Sequence, residues 1–253
     1  MKIFYFTGTG NSLYVAKRIG GELYSIPQVL KDGNLEFEDE TIGIVFPCYA
    51  FGVPRLVAEF IKRVTLNANY VFAVMTYGNM SGSGLKQLED LGKQSGITFN
   101  YTNEICMVDN YLPLYSVEEQ LKHENKKLIE AHVENIVNDI RNQKTKCKRK
   151  GIVMDTVSKL VYRFVYENKL DMADKKFIVN ENCNACKLCE KLCPKNNISV
   201  TDKPEFLHRC DICYSCIHNC PQNAIHLKNE KSSMRFINQH VTVNEIIDSN
   251  DQS

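Results

Sequence analysis

Tryptophan is absent from this 253-residue chain, so any aromatic wall around a ligand must be built from its 12 tyrosines and 12 phenylalanines. An excess of either charge is also missing. The chain carries 31 lysines and arginines against 30 aspartates and glutamates, a balance that favours neither nucleic acid nor a membrane as a whole-chain partner. No apolar run reaches the ~20 residues a spanning helix needs, because the most apolar later stretch, Ile152 to Val165, is broken by Asp155, Lys159 and Arg163. The N-terminus, MKIFYFTGTGNS, has too short an apolar core and no small-residue cleavage site, and so reads as a first strand rather than a signal peptide. A cytoplasmic protein without a membrane span is expected.

What the chain has in plenty is patterned cysteine. Eight of eleven fall in two copies of one motif, Cys183-x2-Cys186-x2-Cys189-x3-Cys193-Pro194 and Cys210-x2-Cys213-x2-Cys216-x3-Cys220-Pro221, set 27 residues apart. Thiolates two residues apart can converge from one turn of chain onto neighbouring irons of a 4Fe–4S cube. Zinc ribbons also use Cys-x2-Cys pairs, but they have no use for a third cysteine at that spacing or for the Cys-Pro ending. A disulfide framework belongs to a secreted context that nothing here suggests. The repeat extends beyond cysteine, since Asn196 and Ile198 recur as Asn223 and Ile225. These residues resemble the two-cluster bacterial ferredoxins over about 175 to 229. The resemblance implies that Cys183, Cys186, Cys189 and Cys220 hold one cluster, and Cys210, Cys213, Cys216 and Cys193 the other. Oxygen-labile clusters in a reducing compartment further suggest an anaerobe or microaerophile.

The length leaves room for a larger domain ahead of this module. Short apolar runs alternate there with amphipathic stretches, the pattern of a parallel sheet wrapped by helices. Expected strands are Lys2–Phe6, Leu23–Ile26, Thr41–Phe46, Tyr70–Thr76 and Ile97–Cys106, giving an α/β doubly wound sheet of five strands. Expected helices are Ser12–Gly20, Pro54–Val64, Ser83–Ser95 and Val117–Asn142; in the last, Leu121, Leu128, Ile129, Val133, Ile136, Val137 and Ile140 share one face. The run QKTKCKRK at 143–150 reads as a solvated basic linker. A bridging helix follows at Ile152–Asn168, with Val153, Val157, Leu160, Val161 and Phe164 expected on its buried side. The organisation is thus 1–142, 143–174 (linker and bridging helix), 175–229 (small α+β cluster module) and 230–253, a polar tail whose Thr242-x-x-Glu245 capping box predicts a short helix.

Between the first strand and first helix lies Thr7-Gly8-Thr9-Gly10-Asn11-Ser12, where backbone N–H groups and the positive helix end can receive a phosphate. There is no Walker lysine, and Leu13 stands where a dinucleotide fingerprint needs its third glycine. What remains is a hydroxyl-rich cup for one phosphate. This loop resembles the phosphate loop of flavodoxins, which implies FMN as the ligand and a flavodoxin-like fold for residues 1–142. Two further segments fall after later strands on the same rim: Pro47-Cys48-Tyr49-Ala50-Phe51-Gly52 and Thr76-Tyr77-Gly78-Asn79-Met80-Ser81-Gly82. Pro47, Tyr49, Phe51, Gly52, Thr76, Tyr77, Gly78 and Asn79 are the candidates for the flavin ring site, with Tyr111 a further aromatic after the last strand. Cys48, Cys106 and Cys147 read as small fillers, and the histidines receive no role.

Taken whole, the chain resembles the flavodoxin–ferredoxin fusions. The resemblance implies an iron–sulfur flavoprotein that moves electrons between two 4Fe–4S clusters and FMN, converting between one- and two-electron partners. A protein redox partner, either a ferredoxin or an oxidoreductase, is expected. Two other readings stay open: a flavin-dependent reductase of a small organic substrate such as a quinone, and a cluster-only carrier or sensor with a docking domain. Residues 175–229 carry more lysine and arginine than acid, which predicts easier cluster reduction than in an acidic shell.

Overall fold

The computed structural model describes residues 1–252, side chains at 169–172 excepted. The first half alternates β1 (Lys2–Tyr5), α1 (Asn11–Ile19), β2 (Glu22–Ser25), α2 (Ile26–Asp32), β3 (Glu36–Glu38), β4 (Thr41–Pro47), α3 (Arg55–Arg63), β5 (Thr65–Asn67), β6 (Tyr70–Tyr77), α4 (Gly84–Gln94) and β7 (Tyr101–Cys106). Then come α5 (Val117–Lys122), α6 (Ile129–Arg141), β8 (Lys146–Cys147) and α7 (Ile152–Val161). The central sheet runs β2-β1-β4-β6-β7-β8 and every pairing is parallel. Its middle strands are nearly continuous apolar runs because both faces are covered: Ile42, Ile44, Val45 and Phe46 in β4 and Phe72 to Met75 in β6 are fully buried. Helices α1 and α6 cover one face and α2, α3 and α4 the other. The order reverses between β1 and β4, which opens a crevice beyond the strands' carboxyl ends, as in doubly wound sheets of flavodoxin-like order.

The sheet has six strands, not five. The sixth, β8, lies within the basic run, where Lys146 and Cys147 pair with Tyr101 and Thr102. Nor is that run a solvated hinge, because Lys148 and Lys150 reach the buried Glu104 carboxylate at 3.3 and 2.8 Å and Arg149 pairs with buried Glu89. The long helix expected at Val117–Asn142 is interrupted. Ser116 caps α5, a 3-10 turn follows at Glu124–Lys127, and Leu128 takes a left-handed φ of 47° before α6 begins. Leu121 and Leu128 are accordingly exposed, while Val133, Ile136, Val137 and Ile140 pack on the sheet. The additional β3 and β5 pair with each other outside the main sheet.

Beyond α7 the chain makes a π turn at Tyr162–Tyr166 and a 3-10 stretch at Glu167–Lys176. It then forms β9 (Phe177–Val179), α8 (Leu188–Lys191), β10 (Ile198–Val200), β11 (Pro204–Phe206), α9 (Ser215–His218) and β12 (Ile225–Leu227). The 27-residue repeat of the cysteines is a repeat of backbone geometry. Left-handed residues Ala185, Lys187 and Asn196 (φ 55°, 61° and 48°) recur as Ile212, Tyr214 and Asn223 (54°, 53° and 47°). Helix α8 recurs as α9 and β10 as β12, with β10 pairing β11 and β12 pairing β9.

The polar tail closes back on the first half. Helix α10 (Val243–Asn250) carries the expected capping box at Thr242 and Glu245. Tyr5 Oη lies 2.7 Å from Ser249 Oγ, and Asn250 Nδ2 donates to the Thr7 carbonyl at 3.0 Å. Asn238 N–H donates to the Thr9 carbonyl at 2.9 Å. The tail thereby fixes the backbone of the glycine-rich loop.

Candidate functional site: a cleft beside two cysteine rings

The loops following β1, β4, β6 and β7 converge on one cleft of about 280 Å³, at the switch point of the sheet. Thr7, Gly8, Thr9, Asn11 and Ser12 line one end; Pro47, Tyr49, Phe51, Thr76, Tyr77 and Gly78 line its walls. The structure thus brings most of the expected positions together. Gly10, Gly52 and Asn79 do not line it. Gly10 holds φ 95° ahead of α1, Gly52 closes a backbone bridge with Tyr49, and Asn79 donates from N and Nδ2 to Asp109 Oδ2 at 3.0 Å each. Sequence reading did not single out Asp109 and Asn110 beside Tyr111, or Met80 beside Asn79, and missed Leu114 and Tyr115 after β7 and Val161, Val165 and Tyr166 from α7 and its π turn. It also missed Ile212, Cys213 and Tyr214, contributed by the cysteine module. The pair Tyr162 and Tyr166, four residues apart on the side opposite the apolar stripe, was the available signal for the α7 wall.

The hydroxyls of the glycine-rich loop are braced from within. Gly10 N–H donates to Thr7 Oγ1 at 3.0 Å, Ser12 Oγ lies 2.9 Å from Thr76 Oγ1, and Asn110 donates to Thr9 Oγ1. Asn11 is held between the Val108 carbonyl and Asn238 Nδ2. The first intrahelical bond is Tyr14 N–H to Gly10 O, so the N–H groups of Asn11, Ser12 and Leu13 have no acceptor within α1. Those donors and the positive end of α1 suit a phosphomonoester. No lysine or arginine is among the lining residues, so an anion at this end meets dipoles rather than a counter-charge.

The walls are aromatic and partly strained. Ala50 and Phe51 adopt φ of 46° and 70°, the pattern of a type I′ turn at residues other than glycine, with Tyr49 and Gly52 exchanging two backbone hydrogen bonds. That turn presents Tyr49, Ala50 and Phe51 to the cleft. Tyr49 packs edge-on to Phe6 and Tyr166, with centroids 6.2 and 6.0 Å away. Burial raises the Asp109 carboxyl, opposed by N–H bonds from Tyr111 and Asn79. Burial also pushes the Cys48 thiol up to about 12, so this cleft residue stays a neutral thiol, bonded to the Ser81 carbonyl at 3.2 Å.

Two smaller voids lie in the cysteine module, each ringed by four cysteines drawn from both motifs. Cys183, Cys186, Cys189 and Cys220 surround one and Cys193, Cys210, Cys213 and Cys216 the other, each a void of about 20 Å³. This is the partition the ferredoxin resemblance implied. Among the described residues no group of His, Cys, Asp or Glu closes tightly enough for a single metal ion. Backbone N–H groups already point at the sulfurs: Asn197 to Cys193 Sγ, Ala224 to Cys220 Sγ and Ile212 to Cys210 Sγ, each 3.3 Å. Burial pushes Cys189 and Cys210 up to about 12 and raises Cys213 and Cys216 well above the ordinary thiol value, so these four free thiols are neutral. The two rings differ in access, because Cys186 is exposed whereas Cys210 and Cys216 are buried.

The inner ring touches the cleft. Cys213 lines both its own void and the cleft, and a Cβ on Gly8 would stand 2.6 Å from the Cys213 carbonyl oxygen. Asp211 locks the same loop to the first half. It lies 3.3 Å from Arg55 Nε, accepts from the Leu56 N–H at 3.3 Å, and accepts from Tyr166 Oη at 3.0 Å. His218 adds a second strut: its Nε2 lies 2.9 Å from the Asn110 carbonyl and its Nδ1 accepts from the Phe236 N–H at 3.2 Å. Burial lowers its pKa to about 4, so the ring bridging these loops is neutral.

No protein-family model matches the chain, and no curated protein matches it significantly in sequence. Among solved structures, the two-electron reduced flavodoxin of Megasphaera elsdenii is similar at 17% identity and a TM-score of 0.31, over 41% of this chain and 83% of that one. A Trp repressor binding protein from Bacillus subtilis is similar at 12% identity and a TM-score of 0.29, over 41% of this chain and 82% of that one.

Proposed function

We propose that this chain is an iron–sulfur flavoprotein that transfers electrons between two 4Fe–4S clusters and a bound FMN, linking one- and two-electron partners. The observation that carries the reading is Cys213, a member of one cysteine ring and a wall of the cleft. When bound, the clusters supply one-electron chemistry and the flavin two-electron chemistry. The protein's residues supply position. The first turn of α1 and the Thr7–Ser12 loop hold the phosphate; Tyr49, Phe51 and Tyr77 give the flavin ring flat walls; Tyr166, Ile212 and Tyr214 exclude water between cleft and inner ring. Gly8 permits the close approach of the two loops. The third cysteine and the Cys-Pro ending of each motif favour iron–sulfur clusters over a single zinc, and the N–H groups aimed at Cys193, Cys210 and Cys220 suit ligating thiolates. An external protein carrier would exchange electrons at the outer ring, a reading supported by exposed Cys186 and its exposed neighbour Lys187.

The test is anaerobic purification with iron, acid-labile sulfide and flavin quantified together. About eight irons, about eight sulfides and one FMN per chain are expected for two clusters and one flavin. Stoichiometric zinc, or no flavin after anaerobic reconstitution, would refute it. Stepwise reduction then asks whether the flavin is bleached through the clusters. A second reading, reduction of a small organic acceptor at the flavin, is favoured by the open mouth of the cleft between Met80 and Leu114, both exposed. Steady-state turnover of a soluble quinone with a reduced carrier distinguishes it.

A further inference from the structure

Helix α7 is amphipathic as its sequence predicts, but it is turned inside out. Its inward side is polar and aromatic: Ser158 Oγ accepts from Ser83 N–H at 3.1 Å, Asp155 accepts from Ser83 Oγ at 2.6 Å, and Tyr162 and Tyr166 are buried. Residues expected on the buried side face solvent instead: Val153 is 79% exposed, Val157 43%, Leu160 53% and Phe164 57%, with Ile152 beside them 85% exposed. Val153, Val157, Leu160 and Phe164, spaced four, three and four residues apart, form one unbroken stripe. A stripe of large aliphatic and aromatic groups this exposed has a partner outside the chain.

The stripe does not stand alone. Val161 and Val165 carry it to the cleft, whose far rim holds exposed Met80 and Leu114, so three separate chain segments set apolar side chains around one opening. Lys159 and Arg163 are exposed beside the stripe and Lys146, Lys148 and Arg149 just before it, against one exposed acid, Glu167, at the far end, so the flank is basic on balance. The carboxylates that pair with the preceding run, Glu89 and Glu104, are buried, which leaves the cations as the outward face of those pairs. Apolar groups on one side and lysine and arginine on the other are the composition of a helix that lies in a membrane interface. Self-association fits less well, because a two-fold antiparallel pairing centred on Leu160 sets Lys159 opposite Val161 and Arg163 opposite Val157, so that neither cation meets a carboxylate.

We propose that α7 and the rim of the cleft dock on an anionic lipid surface, so that the cleft opens toward the bilayer. No helix among the described residues is long and apolar enough to cross a membrane, and the attachment proposed is peripheral. The stripe enters the headgroup boundary while Lys159 and Arg163 meet lipid phosphates. This inference stands on exposure and charge and needs no cofactor.

The experiment is vesicle flotation of the purified full-length protein with mixed phosphatidylcholine–phosphatidylglycerol vesicles against pure phosphatidylcholine, at low and high salt. The wild type is expected to float with the anionic vesicles and to be released in part by salt. Leu160→Glu with Phe164→Glu should lose about tenfold or more of that binding. Lys159→Glu with Arg163→Glu should weaken binding to anionic vesicles while leaving the far-ultraviolet circular dichroism unchanged. Equal flotation of wild type and the Leu160/Phe164 variant, or none by the wild type, overturns the proposal. So does a wild type that is dimeric without vesicles and becomes monomeric on Phe164→Glu, since a second copy would then cover the stripe.

Discussion

Replacing Gly8 by alanine tests whether the cysteine module and the glycine-rich loop form one unit. The added Cβ would lie 2.6 Å from the Cys213 carbonyl oxygen and 3.4 Å from its Cβ, so the oxygen must retreat by roughly 0.8 Å to reach an ordinary separation. The obstacle is backbone and cannot swing aside like the end of a side chain. It is further held by Asp211, through Arg55, Leu56 and Tyr166. Overpacking of this kind costs about 1–3 kcal/mol. For a chain of this size that is a fall in Tm of roughly 2–12 °C. The control is Gly151→Ala, where nothing lies within 4 Å and the φ of −75° suits any residue; its effect should stay within about 0.5 kcal/mol. Urea unfolding followed by circular dichroism gives the stability, and the flavin content of each purified variant gives an independent readout of the cleft. If Gly8→Ala is as stable as Gly151→Ala and keeps its flavin, the loops are not in the contact described.

Tyr166→Phe removes a hydroxyl that donates to Asp211 and accepts from the Arg55 N–H, and should destabilise by about 1.5–3 kcal/mol in the same unfolding assay; an unchanged midpoint would mean that water or another donor replaces it. Hydrogen bonds from Ser232 and Ser116 hold the Glu118 carboxyl at about 2, below its ordinary 4.5, so the stability they contribute is complete above pH 4.5 and is lost as pH falls toward about 2. The difference between wild type and Ser232→Ala should therefore shrink on acidification through that window, and a constant difference would contradict the assignment. Lys187→Glu with Lys191→Glu places negative charge beside the outer ring and should make its reduction harder, moving that potential negative by on the order of tens of millivolts. A spectroscopic redox titration with no negative shift would count against the electrostatic argument.

The sequence reveals features whose physics is local or strictly repeated. Val71 to Met75 has to be a strand covered on both faces, because so continuous an apolar run has no solvent-facing position. The 27-residue offset carries over from cysteine spacing to the left-handed turns, because those turns aim the thiols. Features decided by distant partners stay hidden. Lys146 and Cys147 have a composition that reads as linker, and they become a strand only because the β7 edge is open and Glu89 and Glu104 wait beneath it. Leu128 continues the helical spacing of Leu121 and Ile129, yet it turns outward. Lys127 is drawn to the Met107 carbonyl and Gln120 Oε1, and the next residue reverses the chain. Asp109 and Asn110 carry no motif, and they enter the cleft through the positions of Asn79 and Thr9.

The same repeat that makes the two cysteine rings alike shows where they were made to differ. Ala185-Cys186-Lys187 and Ile212-Cys213-Tyr214 occupy equivalent left-handed turns, so the backbone alone gives neither ring a preferred neighbour. The side chains break the tie. Lys187 is exposed and keeps Cys186 at the surface, whereas Tyr214 is buried against Tyr111 and Phe177 and, with Ile212, seats Cys213 at the cleft wall. Exchanging charge for aromatic surface at one repeat position thus assigns one ring to solvent and the other to the cleft. Tyr214→Lys should undo that assignment. A buried cation in place of an aromatic that fills the junction must seek water, and in doing so it pulls the Cys213 loop from Gly8. The resulting protein should still carry four cysteines around each void while losing the coupling between them and the cleft. It should therefore retain iron at close to the wild-type ratio, yet release flavin on gel filtration or fail to pass electrons to it. A Tyr214→Lys protein that reduces its flavin through the clusters at the wild-type rate would show that the asymmetry at this turn has no part in ordering the two rings.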